Sequence, residues 1–317
     1  MTGVFLDTAT LQRGDLDFAP LTDALSTWKY HDTTPTAQVA QRIAQAEVVV
    51  SNKAYLGADA LAVAEKLKLI CVIATGTNNV DLDAAKAHGI AVCNVTGYAA
   101  PSVTQHVFAL MLALVTQLEN YRAAVKDGAW QRASGFCMLD YPIWELAGKT
   151  LGIVGYGSLG QAVAHVAEAF GMRVLIAARP GQASSAGRVP LHDLLSQSDV
   201  VSLHCPLNEQ TQGLIGAREL ALMQPHALLI NTARGGIVDE TALAQALRER
   251  RIGGAGVDVL TVEPPVNGNV LLAADIPNLI VTPHIAWASR EARQRLVDET
   301  AKNIAAYLHG EARNRVA

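Results

Sequence analysis

Residues 152–160 read GIVGYGSLG, in which Gly155, Gly157 and Gly160 carry a G-x-G-x-x-G spacing. Glycine turns of this kind are common, so the weight lies in what flanks them. A continuous apolar strand pattern, Thr150 to Val154, leads into the run, and a helical pattern, Leu159 to Phe170, leads out of it. Between such neighbours the backbone N–H groups and the positive end of the helix point at one place. That is where a dinucleotide pyrophosphate binds. A tight strand-to-helix turn with no ligand is the competing reading.

Around this turn the chain alternates short apolar runs with helical stretches. From residue 150 onward the runs are TLGIVG, RVLIA, DVVSLH, ALLINTA, GGAGVDV and NLIVTPH, six strands as a doubly wound dinucleotide domain requires. Before residue 100 the runs are VFLD (4–7), EVVVSN (47–52), LKLICVIAT (67–75) and GIAVCNV (89–95), separated by Ala-rich segments with helical spacing. Uninterrupted apolar strands belong to parallel sheets covered on both faces. Between the two series lies TGYAAPSVTQHVFALMLALV (96–115). Pro101 can start a helix there, and the apolar residues after it run too continuously for a one-sided surface helix. The segment reads as a buried or interface helix just past a hinge. Leu296, Thr300, Ile304 and Leu308 recur every fourth residue and describe a terminal helix that returns to the first domain. The fold expected is α/β with two doubly wound parallel-sheet domains. A Rossmann dinucleotide-binding domain, 99–289, is inserted into a flavodoxin-like substrate domain made of 1–98 and 290–317.

Composition narrows the function classes. Half of the 317 residues are hydrophobic and the formal net charge is −4. Basic residues are scattered apart from Arg248, Arg250 and Arg251, read as a solvated helix end, so the stripe that a nucleic-acid binder needs is missing. The start, MTGVFLDTAT, lacks the basic n-region and apolar core of a signal peptide, and Val107 to Val115 is too short to span a bilayer. A cytosolic protein is expected. Cys71, Cys93, Cys137 and Cys205 contain no C-x-x-C pair and read as free buried thiols, with no metal site.

Four segments end strands of the second series with polar or charged groups: HCPLNEQT (204–211), NTARGGIVDE (231–240), GVDVLTVEPP (256–265) and TPHIAWAS (282–289). Ligands of open α/β sheets bind beyond such carboxyl ends, so Arg234, Glu263 and His284 converge by topology. Singly, each has an ordinary explanation: a partner for a surface acid, a solvated loop residue, a core histidine after Pro283. Together they supply a carboxylate fork, an acid/base and a tuner of that acid/base.

At these residues the whole chain resembles the D-isomer-specific 2-hydroxyacid dehydrogenases. SNKAYL (51–56), ATGTNNVDLDAA (74–85), TGYAAPSVTQH (96–106) and TPHIAWAS look most like its branch of bacterial glycerate dehydrogenases, or hydroxypyruvate reductases. The resemblance implies that a nicotinamide cofactor delivers hydride while His284 protonates the keto oxygen, and that His284 is the base in reverse. It implies that Glu263 orients the imidazole and keeps its proton available near neutral pH. Arg234 then binds the substrate carboxylate and polarises the carbonyl. The amides of Thr75 and Gly76 grip the same carboxylate from the other domain, and closure excludes water. Thr104, Ser158, Leu159, Pro206, Thr211, Thr232 and Ala233 line the cofactor beside the three glycines. Asp258 accepts from the nicotinamide carboxamide, with a loop-capping carboxylate as the alternative. Trp287 limits substrate size, with plain packing as its alternative. A homodimer pairing through the helix after Pro101 is also implied. Related formate dehydrogenases carry glutamine where this chain has Glu263, and phosphite dehydrogenases carry lysine where it has Thr75. Dinucleotide-sensing corepressors share the fold and remain the reading from another class.

One absence concerns the choice of cofactor. Residues 174–181 read VLIAARPG, where an acidic residue for the adenosine ribose is usual. Ala178, eighteen residues past Gly160, neither accepts from the ribose hydroxyls nor repels a 2′-phosphate. Arg179 follows it. NADP(H) is therefore expected over NAD(H), with use of both as the alternative, and Ser184 and Ser185 as further phosphate contacts.

Overall fold

The computed structural model describes residues 1–11, 13–179 and 187–317. Ser184 and Ser185 lie outside the described residues. The chain divides into two compact units, Met1–Ala99 with Ala288–Ala317, and Ala100–Trp287, the second inserted into the first.

The first unit holds a parallel sheet of β1 (Thr2–Phe5), β2 (Thr27–Tyr30), β3 (Val48–Ser51), β4 (Leu69–Val72) and β5 (Ala91–Cys93), in the order β2-β1-β3-β4-β5. This is the flavodoxin-like order. The strands β3, β4 and β5 are buried at every position, as apolar runs in a covered parallel sheet must be. An unexpected strand, β2, is TWKY: it sits on the sheet edge and alternates exposed with half-buried residues, so it carries no apolar run. The terminal helix Arg290–Leu308 packs on β4 and buries Leu296, Thr300 and Ile304. Leu308 departs from the expectation. It is the last residue of the helix and is exposed.

The second unit holds β6 (Thr150–Val154), β7 (Arg173–Ile176), β8 (Val200–Leu203), β9 (Leu228–Asn231), β10 (Gly254–Val257) and β11 (Leu279–Val281). All pairs are parallel, in the order β11-β10-β9-β8-β6-β7, so the chain reverses direction across the sheet between β6 and β8. The helix Ala100–Val115 buries residues around most of its circumference within this unit, packed against the helix Ser158–Ala169 and the strands β9, β10 and β11. Its continuous apolar character therefore belongs to a core element. No single helix among the described residues is long and apolar enough to cross a membrane. Cys71, Cys93 and Cys205 are buried free thiols, and burial pushes all three up from the usual thiol range. Cys137 is a correction, because its apolar neighbours Phe136 and Leu139 belong to an exposed segment and the thiol is exposed with them.

Candidate active site

Strand register decides which side chains meet. Val154 of β6 pairs with Leu203 of β8, Leu203 with Asn231 of β9, Asn231 with Val257 of β10, and Val257 with Val281 of β11. The residues that follow, Gly155, His204, Thr232, Asp258 and Thr282, leave the sheet as one row. Arg234, Glu263 and His284 all lie in the loops just beyond that row.

At one end of the row His284 follows β11 by three residues. Its Nδ1 lies 2.6 Å from Glu263 Oε2, and the other Glu263 oxygen accepts the Leu260 amide at 2.8 Å. Both side chains are about one-third exposed, at 29% and 33%, so the pair is neither sealed nor fully solvated. With Nδ1 held by the carboxylate, Nε2 is the nitrogen that can give or take a proton.

His284 adopts a left-handed backbone, φ 55°, which a non-glycine residue keeps only when its surroundings over-determine it. Asp258 supplies those surroundings. Its side chain is fully buried, with Oδ1 accepting from the Ile285 amide (2.9 Å) and the Thr282 hydroxyl (2.5 Å), and Oδ2 from the Ala286 amide (2.8 Å). The Asp258 carbonyl accepts the His284 amide at 2.8 Å. These bonds are those of the loop-capping carboxylate. Sequence reasoning missed two residues that complete the hold. His106 Nε2 lies 2.9 Å from Thr282 Oγ1, and Ser102 Oγ donates to the Ala286 carbonyl at 2.7 Å. Ser102 and His106 are four apart on one helix face, and two polar residues in an apolar helix were the only signal.

Arg234 follows β9 by three residues, exposed, with Nη1 donating to the Ala233 carbonyl at 2.7 Å. Among the described residues no carboxylate pairs with its guanidinium. The next residue fixes the loop's course, since a Cβ at Gly235 would stand 2.0 Å from the Leu260 carbonyl oxygen. The loop of Arg234 thus passes directly against the turn whose Leu260 amide holds Glu263.

At the other end of the row the glycines make room. A Cβ at Gly155 would meet the Cys205 amide nitrogen at 2.5 Å, and one at Gly160 the Gly155 carbonyl oxygen at 2.2 Å. Gly155 also has φ 96°. The helix Ser158–Ala169 begins at Gly157 with no side-chain cap, so the amides near Ser158 and Leu159 keep their donors for a ligand. Thr104 Oγ1 and Thr232 Oγ1 are buried and, among the described residues, have no hydrogen-bond partner. An unpaired buried hydroxyl costs about 1–3 kcal/mol, which a polar ligand returns. Thr211 closes the following loop by donating to the Pro206 carbonyl at 2.6 Å, and Ala233 is buried beside Arg234. A glycine cradle, an uncapped helix start and two orphan hydroxyls fit a dinucleotide.

A model of the "D-isomer specific 2-hydroxyacid dehydrogenase, NAD binding domain" matches residues 108–286. The chain belongs to the D-isomer specific 2-hydroxyacid dehydrogenase family. It is 49% identical over 288 residues to a glycerate dehydrogenase of Methylorubrum extorquens, covering 91% of each chain. It is 38% identical to a hydroxypyruvate reductase of Blautia hydrogenotrophica, covering 99% of this chain and 98% of that one. Its fold is similar to that of an acyclic imino acid reductase solved with NADPH and D-Arg, with TM-score 0.85, 28% identity and full coverage of both chains. As a family member the protein is an oxidoreductase that transfers hydride between a nicotinamide dinucleotide and a small 2-hydroxy or 2-keto acid.

In the first unit the enzyme carries a second row of interest. Thr75 follows β4 at an exposed turn, its hydroxyl donating to the Val95 carbonyl at 2.8 Å and its own carbonyl accepting from Asn94 Nδ2 at 2.7 Å. Among the described residues the amides of Thr75 and Gly76 donate to nothing. Trp287 is half-buried, and its Nε1 donates back to the His284 carbonyl at 2.9 Å.

Proposed function

We propose that the enzyme reduces hydroxypyruvate and glyoxylate to D-glycerate and glycolate, with NADP(H) preferred over NAD(H). The 2.6 Å His284–Glu263 pair carries the reading. The nicotinamide, when bound, supplies the hydride in reduction and takes it up in oxidation. His284 gives its Nε2 proton to the forming alkoxide, with Glu263 holding the ring and balancing its charge. Arg234, whose guanidinium meets no acid among the described residues, takes the substrate carboxylate and draws charge onto the carbonyl oxygen. The amides of Thr75 and Gly76, which donate to nothing among the described residues, suit a substrate carboxylate. Trp287 stands as the wall that keeps the substrate small.

The NADP(H) preference is supported by Ala178 and the exposed Arg179. Thr104, Gly155, Gly157, Ser158, Leu159, Gly160, Pro206, Thr211, Thr232 and Ala233 complete the cofactor set, with Asp258 beneath the nicotinamide end. A dinucleotide-sensing corepressor has no use for an imidazole, a carboxylate and an exposed guanidinium at the ends of these strands. The test is oxidation of NADPH and NADH across a panel of 2-keto acids, ranked by kcat/KM. Hydroxypyruvate and glyoxylate are expected first, with NADPH ahead of NADH. Negligible oxidation with every acid would leave the sensor reading standing.

A cytosolic homodimer goes with this reading. The apolar helix Ala100–Val115 is consumed by its own unit, so the support comes from the segment after it. Phe136 is 91% and Leu139 84% exposed, with Leu118, Trp130 and Ile143 also exposed. Apolar groups gathered in this way mark an association surface. Light scattering at micromolar concentration is expected to give twice the chain mass.

A further inference from the structure

The segment from Gly187 to Val189 lies at the end of β7. The Ala178 amide donates to the Val189 carbonyl at 2.7 Å and the Val189 amide to the Ile176 carbonyl at 2.9 Å, so Val189 runs beside Ala177 as a parallel bridge. This pairing sets Arg188 at the strand end where the ribose acid is absent. Its Nη1 donates to the Ala177 carbonyl at 3.2 Å, and its guanidinium carbon lies over the Tyr156 ring, 6.0 Å from the centroid. Tyr156 is the residue between the first two glycines of the cradle. One planar cation thus bridges the pyrophosphate turn and the ribose strand end, half-buried, and among the described residues no carboxylate neutralises it.

A guanidinium has five N–H donors, and the Ala177 carbonyl uses one of them. The bond to the Ala177 carbonyl and the cation–π contact with Tyr156 hold the group in place, so less freedom is lost when the remaining donors meet a ligand. A ligand placed between Gly155–Gly157 and Ala177–Ala178 presents its adenosine ribose there, and the dianionic group at that position is a 2′-phosphate. We infer that Arg188 is a cofactor-discriminating residue, a second cation that binds the 2′-phosphate of NADP(H) alongside Arg179. The inference deepens the cofactor preference proposed above and rests on it.

Fragments separate this from turnover. Binding of 2′,5′-ADP and 5′-AMP is measured by calorimetry on the intact enzyme, parent against Arg188→Ala, Arg188→Lys and Arg179→Ala. The parent is expected to bind 2′,5′-ADP the more tightly. Arg188→Ala should weaken 2′,5′-ADP by about ten- to a hundredfold, the range for a charge-assisted contact. It should leave 5′-AMP within about twofold, since a neutral ribose gains little from the cation. Arg188→Lys keeps the charge but not the fork or the stack, and should fall between. A parent indifferent to the 2′-phosphate would overturn the cofactor preference itself. A parent that prefers it, with an Arg188→Ala variant that loses both fragments equally or neither, would overturn the assignment to Arg188 alone. The parent's reduction of hydroxypyruvate with saturating NADH, run beside these titrations, reports on the substrate reading independently of either result.

Discussion

The two ends of the second sheet's carboxyl row are built on opposite plans. Around β10 and β11 the polar atoms are committed: Asp258 takes three donors, Glu263 takes the Leu260 amide and His284, and His106 and Ser102 hold the loop from the helix side. Around β6 and β9 they are withheld, as among the described residues the hydroxyls of Thr104 and Thr232 have no partner and the helix after Gly157 has no side-chain cap. Proton transfer needs a group already held in its working geometry, which is what the proposed role of His284 asks of that end. A cofactor must be recognised by donors not yet spent. Each end supplies what the other lacks.

The largest expected effect breaks the committed end. His284→Ala removes the imidazole that meets Glu263, and positioned acids contribute about 100- to 10,000-fold to rate. Turnover should fall by that much while NADPH binding, followed by its fluorescence, stays within about twofold. A variant that lost both equally would mean that the two ends are not separable. Gly235→Ala comes next. Its Cβ would stand 2.0 Å from a backbone oxygen, which no rotamer relieves. Either the Arg234 loop or the Leu260 turn must shift, at about 1–3 kcal/mol. Thermal unfolding should occur several degrees lower and KM for the keto acid should rise more than KM for the cofactor. Unchanged values on both would mean that the two loops do not touch in solution.

Glu263→Gln comes next. The amide keeps the size of the side chain and an oxygen for the Leu260 amide, but it no longer sets an anion 2.6 Å from the imidazole. A hydrogen bond to a charged group is worth about 1.5–3 kcal/mol, so kcat/KM for reduction should fall about ten- to a hundredfold. An unchanged kcat/KM would detach Glu263 from the acid/base role.

How much of this could be read beforehand follows the same division. Strands buried on both faces announce themselves as apolar runs, and the glycine cradle announces itself through its flanks, so the fold and Gly155, Gly157 and Gly160 were legible. Strand β2 was not, because an edge strand with one wet face needs no apolar run. His284 and Glu263 were legible as residue types at strand ends. The Asp258–Thr282–His106 network was not, since three segments distant in sequence make it. Gly235 hid within an ordinary RGG, its requirement lying in a loop 25 residues further on. Arg188 resembled any loop cation until the Ala177–Val189 bridge set it beside the strand that lacks its acid.

The smallest effect sharpens the comparison from the open end. His204 stands in the row beside Gly155, and although the residue keeps some surface, its Nδ1 is sealed from solvent without a partner while Nε2 lies 2.9 Å from Ser202 Oγ. Burial pushes the imidazole down to about 4. An unfolded chain protonates its histidine near 6.5. As pH falls below about 6.5 the unfolded state takes up a proton that the folded state refuses, so stability is whole above that value and drains away toward about pH 4. A displacement of this size corresponds to roughly 3 kcal/mol at most. His204→Asn keeps a polar group toward Ser202 and removes the titration. Urea unfolding at pH 7 and pH 4.5 should therefore show the parent losing about 2–3 kcal/mol more than the variant over that interval. Parallel losses would mean that water reaches the ring in solution, and that this end of the row is open to solvent as well as to its ligand.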